Sequence, residues 1–241
     1  MLFEKIVEII DPDPHDAALN MAVDEALLQT ASAPLLRVYR WSRPAISFGY
    51  FGSFAAAAQA WPGREMVRRW TGGGEVAHGE DVTYTLVVPQ GTPFLEHSAR
   101  DSYRLIHERI AGYLSRAGRA VGVAAPSSGE ASASSGEVSV SSGKASQSSG
   151  KASAACFENP VAFDLLADGM KVAGAAQRRG QRGLLHQGSI RVPGMAPGFS
   201  EGLAGVFAPE VAARELSAGE LETAQVLAAQ KYATDAWLRR F

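Results

Sequence analysis

The chain has 241 residues, of which 46% are hydrophobic and 20% are charged, the balance of a globular protein with a sizeable core. Its 23 Lys and Arg against 25 Asp and Glu give a net charge of -2, without the basic excess typical of nucleic-acid binders. No apolar run is long enough for a membrane span, and acids near the N-terminus argue against a secretory signal. The single cysteine, Cys156, cannot form an internal disulfide, which favours a reducing, cytoplasmic setting.

The first half of the chain is predicted to form mainly strands. Alternating apolar residues predict strands at 4–10, 35–41, 45–51, 65–70 and 81–89. Between the first two, Asp13 followed by Pro14 predicts the start of a helix that carries an apolar stripe.

The second half begins with a helix and ends with one. Asp101 is expected to cap a helix that stops at Gly118. A strand-rich stretch follows at 161–193. The last helix is predicted to begin at Ser217, where Glu220 stands three residues on and completes a capping box.

Residues 127–154 differ in composition from the rest of the chain. They consist of four seven-residue copies, SSGEASA, SSGEVSV, SSGKASQ and SSGKASA. A coiled coil is excluded because the copies lack an apolar seam, and Ser, Gly and Ala bury too little surface to offset the entropy of ordering. The segment is predicted to be a flexible insertion in a surface loop of one domain that spans residues 1–241.

Three consecutive glycines stand between two of the predicted strands, in RRWTGGGEVAH. Gly72, Gly73 and Gly74 form either a simple turn or a loop that brings backbone N–H groups close to a ligand, with Arg68 and Arg69 supplying positive charge. The spacing matches neither a phosphate-binding P-loop nor a dinucleotide fingerprint. His78, which follows, is on its own more often structural than catalytic.

A second cluster lies between residues 156 and 192. Lys171 interrupts an otherwise apolar strand, so it either faces solvent or points into a pocket. Gly174 beside it indicates close approach by a ligand or by backbone. His186 and Gly188 stand in the next strand.

Both clusters together resemble the biotin/lipoate protein ligase family. The resemblance rests on RRWTGGGEVAH and on DGMKVAGAAQRR with LLHQGSI, and it extends to NMAVDEALL and RVYRWSRPAISFGYFG. It implies one α+β domain with a mixed, largely antiparallel sheet and flanking helices, like the catalytic domains of class II aminoacyl-tRNA synthetases and biotin ligases. It also implies a narrow tunnel for a lipoyl or octanoyl group, which becomes an amide on a lysine of a lipoyl domain.

The family contains ligases that use ATP and Mg²⁺ to activate free lipoate, and transferases that need no nucleotide. One transferase branch is similar to this chain in its AACFENP segment, where Cys156 lies fifteen residues before Lys171. That resemblance implies an octanoyl or lipoyl transferase with a cysteine thioester. The donor would be acyl carrier protein or a lipoyl domain, and the acceptor a lipoyl domain of a dehydrogenase complex or the glycine cleavage H protein. An ATP-dependent lipoate ligase remains the alternative.

The resemblance assigns roles to particular residues. Cys156 and Lys171 are the expected catalytic pair, because a thiolate is the attacking form of cysteine and a nearby ammonium favours it. The expected acyl- and substrate-binding residues are Arg69, Thr71, Gly72, Gly73, Gly74, His78, Gly174, His186 and Gly188. Arg178 and Arg179 either contact a protein partner or lie in a solvated turn. No metal is expected, because the histidines lack companions at metal-ligand spacing.

Overall fold

The structure is a computed structural model that describes residues 1–126, 160–192 and 198–241. The strands are β1 (Lys5–Ile10), β2 (Leu35–Tyr39), β3 (Ala45–Phe48), β4 (Glu65–Arg68), β5 (Glu75–His78), β6 (Val82–Pro89), β7 (Val121–Val123), β8 (Leu165–Ala167), β9 (Met170–Gly180), β10 (Gly183–Ile190) and β11 (Glu210–Glu215). The helices are α1 (Ala17–Thr30), α2 (Phe54–Ala60), α3 (Ala99–Arg116), α4 (Ala218–Leu227) and α5 (Asp235–Leu238). The Ser/Gly-rich copies at 127–154 and Cys156 lie outside the described residues.

Within these ranges the strands form two sheets. The larger has eight strands in the order β11-β1-β2-β6-β10-β9-β8-β7, and the smaller has the order β4-β3-β5. In the larger sheet β1 pairs in parallel with β11 and β2, and the other neighbours pair antiparallel. The prediction of a mixed, largely antiparallel sheet with flanking helices is therefore confirmed.

The larger sheet is covered on both faces, which divides the core into two layers. On one face α1 packs Leu27 and its neighbours against Tyr39 of β2 and Leu185 of β10. On the other face α3 packs Ile106 and its neighbours against Leu86 of β6. No helix in the described part of the chain is long and apolar enough to cross a membrane.

Helix α1 begins at Ala17, and its cap is Asp16 rather than the predicted Asp13. The Asp16 carboxylate accepts from the backbone N–H of Leu19 at 2.8 Å. The helix cannot start earlier because His15 forms a β-bridge with Trp41, so the chain is still extended at that point. The apolar run was the correct signal for the helix, but the long-range bridge decided where it starts.

Helix α3 also begins before the predicted cap. Its cap is Ser98, whose hydroxyl accepts from the backbone N–H of Asp101. Asp101 therefore lies in the first helical turn, where a carboxylate interacts favourably with the helix dipole. Ser98 and Asp101 each carry a capping side chain, and the sequence pattern did not distinguish between them.

The predicted capping box at the start of the last helix is confirmed. Ser217 and Glu220 hydrogen-bond each other's backbone N–H groups reciprocally. The helix is shorter than predicted, because a π-helical turn over Ala228–Tyr232 separates α4 from α5. Within that turn, Lys231 and Tyr232 both donate to Glu25 of α1 at 2.6 Å.

His107 of α3 is completely buried, and we expect it to make stability depend on pH. Its Nδ1–H donates to the Phe163 carbonyl at 2.6 Å, and burial lowers its pKa from 6.5 to about 4. The unfolded chain therefore takes up the proton first, so the stabilisation is complete above pH 6.5 and is lost as the pH falls to about 4.

The expected loss is about 3 kcal/mol in the free energy of unfolding between pH 7 and pH 4. Urea unfolding of the wild type and of His107→Gln at both pH values measures it, because glutamine keeps a donor for the Phe163 carbonyl but does not titrate. If both proteins lose the same free energy over this range, His107 is not the group responsible.

Candidate active site

A narrow passage lies between the two sheets, on the face of the larger sheet that carries α1. Its floor is a row of residues from four adjacent strands, paired in register: Gly174 of β9 with Ser189 of β10, Ser189 with Thr83 of β6, and Thr83 with Tyr39 of β2. Small or short side chains occupy three of these four positions. The backbone of the sheet therefore forms much of the floor.

The small sheet and α1 form the roof of the passage. Ser47 of β3, Val76 and His78 of β5, and Met21 of α1 line it. At the β2 end the lining residues are almost completely buried, with Tyr39 at 2%, His78 at 8% and Trp41 at 9% exposure. At the β9 end, Gly73 and Gly74 are exposed. The passage is therefore open at β9 and closed at β2.

The glycine loop forms one side of the open end and is held from below by Arg69. The Arg69 guanidinium donates to the carbonyls of Gly72 and Gly74 at 3.0 and 2.9 Å. Gly73 has φ +88°, a left-handed conformation that favours glycine. A Cβ on Gly49 would lie 2.0 Å from the Gly73 carbonyl oxygen. The glycine loop can therefore pack against the end of β3 only because residue 49 is also glycine.

Lys171 lies at the open end, and its side chain is only 9% exposed. Its Nζ is 2.8 Å from Oδ2 of Asp164, whose side chain is 1% exposed. A Cβ on Gly174 would lie 2.6 Å from the Cε of Lys171 and 2.8 Å from its Nζ. Gly174 therefore leaves the space through which the lysine reaches the passage.

Asp164 is held in place by several hydrogen bonds of its own. Its Oδ1 accepts from the Tyr103 hydroxyl at 2.6 Å, and its Oδ2 accepts from the Val161 N–H at 2.8 Å. The preceding residue, Phe163, has φ 71° although it is not glycine, a strained conformation that the surrounding structure must enforce. His107 supplies part of that support by binding the Phe163 carbonyl.

Replacing Asp164 with asparagine is expected to impair both stability and the acyl transfer that the family resemblance implies. Removing one partner of a buried ion pair costs about 3–5 kcal/mol, since the ammonium of Lys171 would lose its counter-charge. We expect a loss of about 3 kcal/mol in unfolding free energy and at least a hundredfold slower transfer, measured by urea unfolding and by a single-turnover assay.

Two matched variants test whether the charge of Asp164 is what matters. Tyr103→Phe removes one hydrogen bond from the carboxylate but keeps the charge, so its transfer rate should fall about tenfold or less. Asp164→Glu should recover most of the activity that Asp164→Asn loses. Equal losses in all three variants would point to general disruption of the fold instead.

His78 is part of a buried hydrogen-bond chain at the closed end. Arg69 donates to the Ser47 hydroxyl at 2.7 Å, Ser47 lies 2.6 Å from Nε2 of His78, and Nδ1 of His78 lies 2.8 Å from Asp81. Burial lowers the pKa of His78 despite Asp81. Although burial would raise the pKa of Asp81, hydrogen bonds from His78, Ser189 and the backbone lower it to about 2. Neutral His78 therefore accepts from Ser47 and donates to ionised Asp81.

The structure brings together most of the substrate-binding residues predicted from the sequence. The passage is lined by Lys171, Arg69, Gly73, Gly74, His78, Gly174 and Gly188. Thr71 and Gly72 do not line it. Thr71 is buried beneath the loop and donates to Gln187 at 2.8 Å, so it anchors the loop to β10. The position of Cys156 lies outside the described ranges.

His186 does not line the passage either, because it points to the opposite face of β10. There it lies 3.0 Å from the Tyr84 hydroxyl and 3.0 Å from the Gln177 amide, on the side of α3. Gln187, its neighbour, takes the place in the passage. Every residue of β10 is buried, so burial does not distinguish the face of β10 that lines the passage from the opposite face.

The two arginines after the lysine strand also point in different directions. Arg178 lies over the Trp70 ring, 4.5 Å from its centroid, and donates to the Trp70 carbonyl. Arg179 donates to Leu95 and Ser102 on the α3 side. Neither residue lies in a solvated turn. No group of three His, Cys, Asp or Glu side chains placed to hold a metal occurs within residues 1–126, 160–192 and 198–241.

Several residues of the site were not predicted from the sequence, namely Asp164, Trp41, Ser47, Gln187 and Gly49. Asp164 did leave a signal, because it is an acid within the apolar run VAFDLL. The other four residues have no comparable signal in the sequence, because their positions in the site depend on which strands become neighbours.

Comparisons with known proteins identify the family of the chain. Residues 16–209 match the model of the lipoyl protein ligase A/B catalytic domain. The chain is 31% identical to octanoyltransferase LipM of Kyrpidia tusciae, over 92% of this chain and 94% of that protein. It is 33% identical to octanoyltransferase LipM of Oceanobacillus iheyensis over 75% of this chain, which spans 62% of that relative's length.

Solved structures share the fold. Protein Ta0514 of T. acidophilum with bound lipoic acid superposes with a TM-score of 0.72 at 18% identity, covering 99% of this chain and 100% of that one. Lipoate-protein ligase A bound with ATP superposes with a TM-score of 0.70 at 18% identity, covering 98% and 99%. The chain belongs to the lipoyl protein ligase A/B catalytic domain family.

Proposed function

We propose that this protein is an octanoyltransferase of protein lipoylation, which carries the acyl group briefly as a thioester on Cys156. The observation that carries the proposal is Lys171, whose side chain is 9% exposed and lies at the open end of a passage that is closed at its other end. The chain is also 31% identical to an octanoyltransferase over 92% of its length. A fatty acyl tail fits such a passage, and the carbonyl would then lie beside the ammonium.

The first half of the reaction loads the enzyme. The thiolate of Cys156 attacks the carbonyl carbon of an acyl thioester, and the carbonyl electrons move to oxygen. The tetrahedral intermediate then expels the donor's thiolate, which takes up a proton. The ammonium of Lys171 favours both the attacking thiolate and the oxyanion, and backbone N–H groups of the glycine loop supply further donors.

The second half delivers the acyl group. The neutral ε-amine of the acceptor lysine attacks the Cys156 thioester, the C–S bond breaks, and the amide nitrogen loses a proton. The net change is a thioester and an amine converted into an amide and a thiol, so no nucleotide is consumed. Asp164 keeps the ammonium of Lys171 oriented through both steps.

The donor and the acceptor are small proteins in this proposal. The donor is an octanoyl-loaded acyl carrier protein or a loaded lipoyl domain, which would share the cytoplasm with the enzyme. The acceptor is a lipoyl domain or a glycine cleavage H protein. Because the donor already contains an activated carbonyl, the proposal requires neither ATP nor Mg²⁺.

A reconstituted assay without nucleotide tests the function. The protein is mixed with octanoyl-loaded acyl carrier protein and an apo lipoyl domain, and the acceptor is followed by intact mass spectrometry. We expect octanoylation of one acceptor lysine at a rate that ATP does not change. Modification of the acceptor only with free lipoate and ATP, with release of pyrophosphate, would identify a ligase instead.

A further inference from the structure

The floor of the passage crosses the strands, which fixes how far an acyl tail must travel. Gly174, Ser189, Thr83 and Tyr39 stand in one row across β9, β10, β6 and β2. Neighbouring strands lie about 4.8 Å apart, so the row covers about 10 Å from β9 to β6. A chain whose carbonyl lies beside Lys171 therefore meets the side chains of β2 after that distance.

An octanoyl group has a matching length. An extended hydrocarbon advances about 1.25 Å per bond, given C–C bonds of about 1.5 Å and angles near 111°. From its carbonyl carbon to its methyl carbon, the group therefore spans about 9 Å. Its methyl end would reach β6 and touch the closed end of the passage, and each further methylene would need about 1.25 Å of additional space.

The closed end is a wall made by two stacked rings. The Trp41 indole and the His78 imidazole lie with centroids 4.0 Å apart and an interplanar angle of 13°. Trp41 Nε1–H donates to the Thr83 hydroxyl at 2.8 Å, and both nitrogens of His78 are engaged by Ser47 and Asp81. All the ring nitrogens of the wall are thus bonded within the protein, and the stack offers carbon surface to a methyl group.

A second cavity shares one lining residue, Tyr39, with the closed end of the passage. Asp81, which binds His78, also lines the second cavity. Three acids, Glu8, Asp11 and Glu80, are among the residues that line the second cavity.

We propose that the Trp41–His78 stack sets the acyl chain length of this enzyme at about eight carbons. The proposal rests on the octanoyl transfer proposed above and identifies the two residues that select the length of its acyl substrate. A longer chain could enter only by separating the two rings and breaking the hydrogen bond from Trp41 to Thr83. Hydrogen bonds hold both rings of the wall in place, so one or two additional methylenes would not displace them.

Donors of graded chain length test the proposal. Carrier-protein thioesters with acyl chains of six, eight, ten and twelve carbons are compared in the wild type and in Trp41→Leu. One methylene in an apolar pocket is worth about 10–200-fold in kcat/KM, so the wild type should discriminate sharply against ten carbons. In Trp41→Leu the ratio of twelve-carbon to eight-carbon transfer should rise at least thirtyfold.

Two further variants control for loss of folding. Trp41→Phe keeps an aromatic ring against His78 but is shorter, so it should extend the accepted length by one or two carbons. Leu86→Ala removes buried volume on the opposite face of the sheet, so it should lower the melting temperature without changing the preference. The proposal is overturned if folded Trp41→Leu still prefers eight carbons by the wild-type ratio.

The outcome separates this proposal from the proposed function. If the wild type transfers octanoyl groups but Trp41→Leu keeps the wild-type chain-length preference, the proposed function stands and the proposed role of the Trp41–His78 stack is wrong. If no thioester of any length is transferred, the function is wrong. Calorimetry with free fatty acids of the same lengths then tests whether the Trp41–His78 stack limits chain length. The twelve-carbon acid should bind more tightly to the Trp41 variants than to the wild type.

Discussion

Replacing Cys156 with alanine is expected to abolish octanoyl transfer, with a loss of at least a thousandfold in kcat/KM. The proposed reaction passes through a thioester, and no other residue of the chain can form one because Cys156 is the single cysteine. The measurement is acceptor octanoylation by intact mass spectrometry, with octanoyl-loaded carrier protein as the donor.

Cys156→Ser is the matched control for that experiment. It keeps the size and shape of the side chain, but a hydroxyl is almost never ionised near neutral pH, so the loss should be nearly as large. Activity in both variants close to that of the wild type would mean that the acyl group passes directly from donor to acceptor, without an enzyme intermediate.

Replacing Lys171 with methionine is the second change with a large expected effect. Methionine keeps most of the length and apolar volume of the side chain but removes the ammonium that faces Asp164. Transfer should fall at least a thousandfold, because both tetrahedral intermediates lose a charge worth several kcal/mol in a partly closed site. Single-turnover assays of acceptor octanoylation measure this loss.

A second readout separates a role beside the thiol from a purely structural one. Iodoacetamide reacts with thiolate, so alkylation of the single cysteine at pH 7 should be about tenfold slower in Lys171→Met if the ammonium stabilises the thiolate. Gly174→Ala is the companion variant, since its Cβ would displace the lysine without removing it. Unchanged alkylation rates in both variants would contradict the proposed pairing of Cys156 with Lys171.

Much of the fold could be predicted from the sequence because the strongest local signals agree with the tertiary structure. The capping box at Ser217 and the apolar stripe of α1 needed no long-range information. The start of α1 did need it, because the bridge between His15 and Trp41 holds the chain extended past Asp13. Asp13 and Asp16 are equally good caps in the sequence, and the β-bridge between distant residues decides which of them begins the helix.

The candidate site was predictable where glycine or lysine stood in an unusual place. Three consecutive glycines and a lysine in an apolar strand marked unusual positions, and the family resemblance assigned both of them to the site. At the closed end, His78 was predicted from the resemblance, but Trp41 and Ser47, which contact it, were not. The face of β10 that lines the passage was also not predicted, because Gln187 and His186 lie on opposite faces and both are buried.

The thioester on Cys156 is tested most directly by intact mass spectrometry of the enzyme after mixing with octanoyl-loaded acyl carrier protein, without acceptor and without ATP. We expect one added octanoyl group, located on Cys156 by peptide mapping, removed by hydroxylamine and transferred when an apo lipoyl domain is added. An enzyme that octanoylates the acceptor at full rate but never carries the group itself would contradict this expectation.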